Sequence, residues 1–249
     1  MVHEGASVVD VGGESTRPKG KTYGEGARAV SAEQEALRVL PVVEALVREG
    51  VRVSIDTTKA EVARSACRAG ASVINDVSCG TSEALLRVAA EAGVELVLMH
   101  NRGRGECAGA NVQYADVVED VKAELLQAVE RAVAAGVDRT RIWLDPGLGF
   151  AKTARQSLAL LARTDVLVAS GYRVLVGPSR KSFIGELAKT ASGQMPSASE
   201  RLGGTAASVT AAVVLGAHAV RVHDVAEMWQ AACLAGCLGD ARKRSEARG

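Results

Sequence analysis

The sequence predicts an α/β fold, a (β/α)8 barrel of which seven of the eight strand–helix units are visible. Three observations lead there. Short β-branched or Leu-rich runs alternate with longer Ala/Leu/Glu/Arg-rich stretches of helical period, the pattern of a parallel sheet built from βαβ units. Gly50, Gly70, Gly93, Gly136, Gly171 and Gly216 each stand just after a helix and before a strand, at the left-handed C-cap position. Finally, a polar residue interrupts the apolar run at the C-terminal end of nearly every strand. In a barrel such residues converge on one mouth; in a doubly wound open sheet, the alternative for seven strands, they spread along an edge.

Met1–Gly5 reads as the end of a helix. The first visible strand is Ser7–Val11, followed by a helix over Ser31–Glu49 with Leu37, Leu40, Val43 and Val47 on its apolar stripe. Pro41 lies inside that helix, and the apolar period continues past it, so a kink is expected rather than a break. Strand Val51–Asp56 leads to helix Lys59–Ala69, and strand Ser72–Asp76 to helix Glu83–Ala92. Strand Glu95–Met99 precedes helix Tyr114–Ala135, and strand Arg141–Asp145 precedes helix Ser157–Ala169. Strand Arg173–Gly177, helix Ser199–Leu215, strand His218–Val222 and helix Val225–Cys237 complete the set. The strands are apolar on both parities, as strands covered on both faces should be. One domain over residues 1–239, lacking its first βα unit, and a charged tail over 240–249 that frays are the simplest organisation.

Composition bounds the function. The 249 residues match the length of one barrel, and 47% hydrophobic with 24% charged residues excludes overall disorder. Thirty Lys+Arg against 29 Asp+Glu leave a formal charge of +1, no footprint for nucleic acid or an anionic membrane. Aromatic residues at 3% argue against a base-stacking platform. No apolar run reaches the roughly 18 residues of a membrane span. The five cysteines form no Cys-x-x-Cys pair, and Cys233 and Cys237, one turn apart, are expected to be small buried apolar residues. A reducing cytoplasm is the default compartment.

The candidate site follows from the strand ends. Ser179-Arg180-Lys181-Ser182 and Arg221-Val222-His223-Asp224 come after the last two strands, the usual phosphate-binding corner of a barrel. Two Arg, one Lys and one His there suit a diphosphate. Asp56, Asn75 and Asp145 are expected to face this corner. Carboxylates at a barrel mouth need donors, which the edge of an aminopyrimidinone supplies. The residues therefore suggest a polar heterocycle carrying phosphate or diphosphate, without naming it. Gly12-Gly13-Glu14-Ser15-Thr16-Arg17-Pro18 reads as a mobile loop over the mouth. Gly147-Leu148-Gly149 lets backbone approach a ligand, with Phe150 as an apolar wall. No Ser/His/Asp or Cys/His triad is found, and His100 reads as a packing or loop-anchoring residue.

Together these motifs resemble the dihydropteroate synthase family. The matching stretches are Asp10–Pro18, Asp56–Lys59, Asn75–Val77, Met99–Arg102, Asp145–Lys152, Ser179–Gly185 and Arg221–Val225, in the family's order. The resemblance implies a (β/α)8 barrel, usually a homodimer, that joins 6-hydroxymethyl-7,8-dihydropterin diphosphate to 4-aminobenzoate with Mg2+. It implies that Asp56, Asn75, Asp145 and Lys181 hold the pterin, with Met99, Gly177 and Phe150 lining its pocket. Arg221 and His223 would hold the diphosphate, and Thr16, Arg17, Pro18 and Ser182 would surround the aminobenzoate. The family's first strand ends in an Asn-Val-Thr-Pro-Asp-Ser-Phe motif whose Asn helps bind the metal; nothing in this sequence corresponds to it, so the metal ligands are unassigned. That departure leaves two rivals: a catalytically impaired pterin-binding homologue or fragment, and a folate-dependent methyltransferase of the same barrel type. The methyltransferase would not need the basic corner.

Overall fold

The computed structural model describes residues 1–15, 30–102, 113–189 and 191–246. Among them run seven strands: β1 (Val9–Gly12), β2 (Val53–Asp56), β3 (Val73–Asp76), β4 (Glu95–Met99), β5 (Ile142–Asp145), β6 (Arg173–Val176) and β7 (Ala219–Val220). All pair in parallel and in sequence order, β1 to β7, in a curled sheet. Helices alternate with them: α1 (Ala32–Arg48), α2 (Ala60–Arg68), α3 (Glu83–Ala92), α4 (Val117–Ala134), α5 (Ala154–Ala162), α6 (Thr164–Val168), α7 (Ser182–Leu187), α8 (Leu202–Val214) and α9 (Val225–Glu246). No helix among the described residues is long and apolar enough to cross a membrane.

The strand register explains how the site forms. Partner pairs Gly12↔Asp56, Asp56↔Asn75, Asn75↔Val97, Met99↔Asp145 and Leu175↔Ala219 carry one parity around the sheet. Side chains alternate along a strand, so Asp10, Asp56, Asn75, Met99, Asp145 and Arg221 all point to the concave side. The other parity supplies the core under the helices. Ile55, Ile74, Leu96, Leu98, Ile142, Leu144, Val174 and Val176 are all essentially inaccessible. The floor of the concave side is closed by Glu95, which accepts from Trp143 Nε1 at 2.8 Å and Arg173 Nη1 at 3.0 Å and pairs with Arg52 at 2.8 Å.

The helices mostly follow the predicted pattern, with instructive departures. α1 runs unbroken through Pro41 from a Ser31 cap, whose side chain accepts from the Gln34 amide. Of the predicted stripe, Val43 is buried and Leu40 and Val47 pack against the core, but Leu37 is 77% exposed, and Glu35 and Val39 are buried instead. The buried Glu35 pairs with the half-buried Lys59, so an ion pair takes part in the inward face of the helix. The predicted helix Ser157–Ala169 is two helices, α5 and α6, that meet at Arg163, and α5 starts earlier at a Thr153/Gln156 capping box. The six residues of α7 were not anticipated, because so short a helix carries no period. α9 continues through Gly239 to Glu246, where fraying was expected. Cys233 and Cys237 are exposed on it rather than buried. α9 packs against α8, and the two thiols lie outside that contact.

Candidate functional site

The concave end of the sheet holds a pocket lined by Asp56, Asn75, Val77, Met99, Asp145, Phe150, Gly177, Ser179, Lys181, Arg221 and His223. Nine of these were given a ligand contact from the sequence, and Ser179 was placed in the basic corner without one; Val77 was assigned no place in the site. Ser182 does not line the pocket and begins α7. Thr16, Arg17 and Pro18 lie outside the described residues. Arg180, counted in the basic corner, turns away. It sits at φ 58°, a conformation that swings its side chain toward Asp224, whose carboxylate it engages through Nε (2.9 Å) and Nη2.

The acidic wall is crowded. Arg221 Nε donates to Asp10 Oδ2 at 2.6 Å, and its Nη2 donates to Asp56 Oδ2 at 3.2 Å. Asn75 Nδ2 donates to Asp10 Oδ2 at 3.2 Å. Asp10 is the second residue of β1, and no local pattern in the sequence pointed to its place opposite Arg221. The remaining oxygens Asp10 Oδ1, Asp56 Oδ1 and Asn75 Oδ1 are buried and accept from no group of the protein. Burial, and then the neighbouring Asp10, hold Asp56 well above the usual carboxylate range, while Arg221 pulls it back. Unmatched acceptors on two pocket-lining residues, Asp56 and Asn75, call for a ligand that brings donors.

The opposite wall is cationic and partly apolar. Asp145 Oδ1 accepts from the Gly147 amide at 2.7 Å, and burial raises its pKa while Lys181 lowers it. Lys181 Nζ donates to Leu148 O and stands 4.5 Å over the Phe150 ring. Burial brings Lys181 down to about 8, with Asp145 opposing the shift. His223 is held by Ser179, whose Oγ accepts from the His223 amide at 3.2 Å and lies 2.9 Å from Nδ1. Met99 and Phe150 supply apolar surface between the two walls.

Two quoted motif residues serve the frame instead. Asp76 is buried on the helix side of the sheet and folds the following turn, accepting from the amides of Ser78 (2.8 Å) and Gly80 (2.7 Å). Lys59 ties Glu14, at the root of the loop after β1, to Glu35 on α1. His100 is fully buried between Glu124 and Lys152, in keeping with an anchoring role.

Residues 1–223 match the family described as pterin binding enzyme. The chain is 48% identical to the dihydropteroate synthase of Mycobacterium leprae over 227 residues, 90% of this chain and 78% of the relative. It superposes on Xanthomonas albilineans dihydropteroate synthase with 4-aminobenzoic acid at a TM-score of 0.85, with 39% identity and coverage of 95% of this chain and 81% of the other. A dihydropteroate synthase from a Clostridium difficile source, in the presence of pteroic acid, gives a TM-score of 0.84 at 34% identity, covering 95% and 84%. The chain belongs to the pterin-binding enzyme family, among its dihydropteroate synthases.

Proposed function

We propose that this chain joins 6-hydroxymethyl-7,8-dihydropterin diphosphate to 4-aminobenzoate, giving 7,8-dihydropteroate and diphosphate. The observation that carries the reading is the pairing, in one pocket, of unmatched acceptors on Asp56 and Asn75 with the cations of Lys181 and Arg221. An aminopyrimidinone edge offers N–H donors to the first, and a diphosphate offers oxygens to the second. The bond between the pterin methylene and the diphosphate oxygen breaks, and its electron pair leaves with the diphosphate. Arg221 and His223 stabilise that charge. Positive charge develops on the pterin, where Asp145 and Asp56 favour it. The amine nitrogen of 4-aminobenzoate then forms the new C–N bond and gives up a proton. Phe150 and Met99 pack against the ring, and Ser182 with Thr16, Arg17 and Pro18 is proposed to receive the aminobenzoate.

Mg2+ is part of the reading, as a companion of the diphosphate. Among the described residues no three His, Cys, Asp or Glu side chains come together to hold a metal, and Arg221 already engages Asp10 and Asp56. No step is therefore assigned to a resident ion. A homodimer in the cytoplasm is proposed on the family resemblance, with sedimentation velocity as its test.

Activity decides the main reading. Purified protein with Mg2+ should release diphosphate only when both the pterin diphosphate and 4-aminobenzoate are present. Pterin binding by calorimetry without any release would favour the impaired homologue, and methyl transfer from a folate would favour the methyltransferase.

A further inference from the structure

The pocket residues leave unexplained a deeply buried cation beside them. Lys152 is 5% exposed and does not line the pocket. Its Nζ donates to Phe150 O (2.9 Å) and Gly147 O (3.1 Å) and lies 2.9 Å from His100 Nδ1. The His100 carbonyl oxygen, at 3.4 Å, is a fourth and longer acceptor, so the three N–H bonds of the ammonium group are fully engaged. Glu124 Oε2 lies 2.9 Å from His100 Nε2, and a carboxylate there favours the ring proton on Nε2, leaving Nδ1 to accept from Lys152. Arg102 Nε clamps the same carboxylate at 2.9 Å and 3.1 Å. Burial, and then Lys152, keep His100 far below the usual histidine value, so the ring is a neutral link between the Lys152 amine and the Glu124 carboxylate. Lys181, Asp145, Cys79 and Glu124 are the other ionisable groups facing Lys152; burial and then Lys181 bring it down to about 7.

What Lys152 holds matters for the site. Two of its carbonyl partners, Gly147 and Phe150, bracket the loop that follows Asp145, and the third, His100, follows β4. Within that bracket the Gly147 amide orients Asp145, Leu148 O orients Lys181, and the Phe150 ring lies beneath the Lys181 ammonium. Gly147 sits at φ 63°, and a Cβ there would collide with the His100 carbonyl oxygen, so the loop rests directly on the end of β4. We propose that Lys152, locked through the neutral His100 ring to Glu124, is a positioning residue that fixes the 147–150 loop and so sets Asp145 and Lys181 for the pterin ring. The proposal rests on the reading that this pocket takes a pterin.

Two variants and two measurements test it. Lys152→Met fills the same space without a donor, and Lys152→Gln restores one. In the protein without added ligand, amide hydrogen exchange at Gly147 should quicken in Lys152→Met while Leu98 of β4 keeps its protection. By calorimetry, affinity for 6-hydroxymethyl-7,8-dihydropterin diphosphate should fall roughly 10- to 100-fold, the scale of a misplaced positioning group. The KM for 4-aminobenzoate should stay unchanged, and Lys152→Gln should recover part of the pterin affinity. Wild-type exchange at Gly147, or wild-type pterin affinity, in a folded Lys152→Met protein would overturn the proposal. An equal loss for both substrates would overturn it too, since that marks general structural damage. If Lys152→Met does not fold, Lys152→Leu, which also lacks a donor, takes its place in the same two measurements with the same outcomes deciding. If the wild-type protein binds no pterin, the functional reading fails on its own, and exchange at Gly147 still decides whether Lys152 holds the loop.

Discussion

Lys181 carries a charge that its own surroundings weaken. Burial lowers its pKa to about 8, and Asp145 resists the shift. The charged form is the one that attracts the diphosphate-bearing pterin, so it predominates below pH 8 and is lost above it. Affinity for the pterin diphosphate should therefore decline between pH 7 and pH 9, by at most about tenfold per pH unit. Lys181→Ala should bind more weakly by about 2 kcal/mol or more at pH 7, the worth of a charge-assisted hydrogen bond. Its affinity should also be flatter over the same pH interval. Calorimetric titration of both proteins across that range is the check, and parallel pH profiles would dissociate Lys181 from the ligand. The type of each site residue was legible in the sequence, because a polar residue ending an apolar strand has few reasons to be there. Its partner was not. Arg221 meets Asp10 across 211 positions of chain, and Lys152 meets His100 across 52, distances at which no local pattern operates.

At the level of elements, polar ties set details that apolar periodicity leaves open. Glu35 is 1% exposed on α1, and Lys59, just before α2, reaches it at 2.6 Å while also engaging Glu14. Lys59→Met would leave Glu35 buried without its cation. Removing one partner of such a buried pair costs about 3–5 kcal/mol. Urea denaturation should show a lower midpoint at unchanged slope. A midpoint within error of wild type would mean that Glu35 finds another donor or that α1 rotates. Leu40, Val43 and Val47 of the predicted stripe do face the core, while Leu37 lies off it and the charged Glu35, which no apolar pattern could flag, lies on it. Strands were the more legible elements: each of the seven appears where a short apolar run ends in a polar residue, to within a few residues. α7 escaped notice because six residues complete fewer than two helical turns.

For the whole molecule, the order β1 to β7 leaves β1 and β7 as the outermost strands among the described residues, each hydrogen-bonded to one neighbour. An outer strand opens at less cost than one paired on both sides. Backbone amides of β1 and β7 should exchange faster than those of β3, β4 and β5, as hydrogen exchange with residue resolution would show. Uniform protection would mean that something covers both edges. Arg221 lies across this interval, joining the end of the last strand to the ends of the first two. That bridge works like a lock needing two keys. An anion on its own must draw the guanidinium from Asp10 and Asp56 and leave two carboxylates facing one another. A neutral heterocycle on its own must compete with a cation for those same carboxylates. A single molecule bearing both parts exchanges every partner at once. The pocket can thereby ignore simple phosphates, which any cell holds in excess, through an ion pair formed before the ligand arrives.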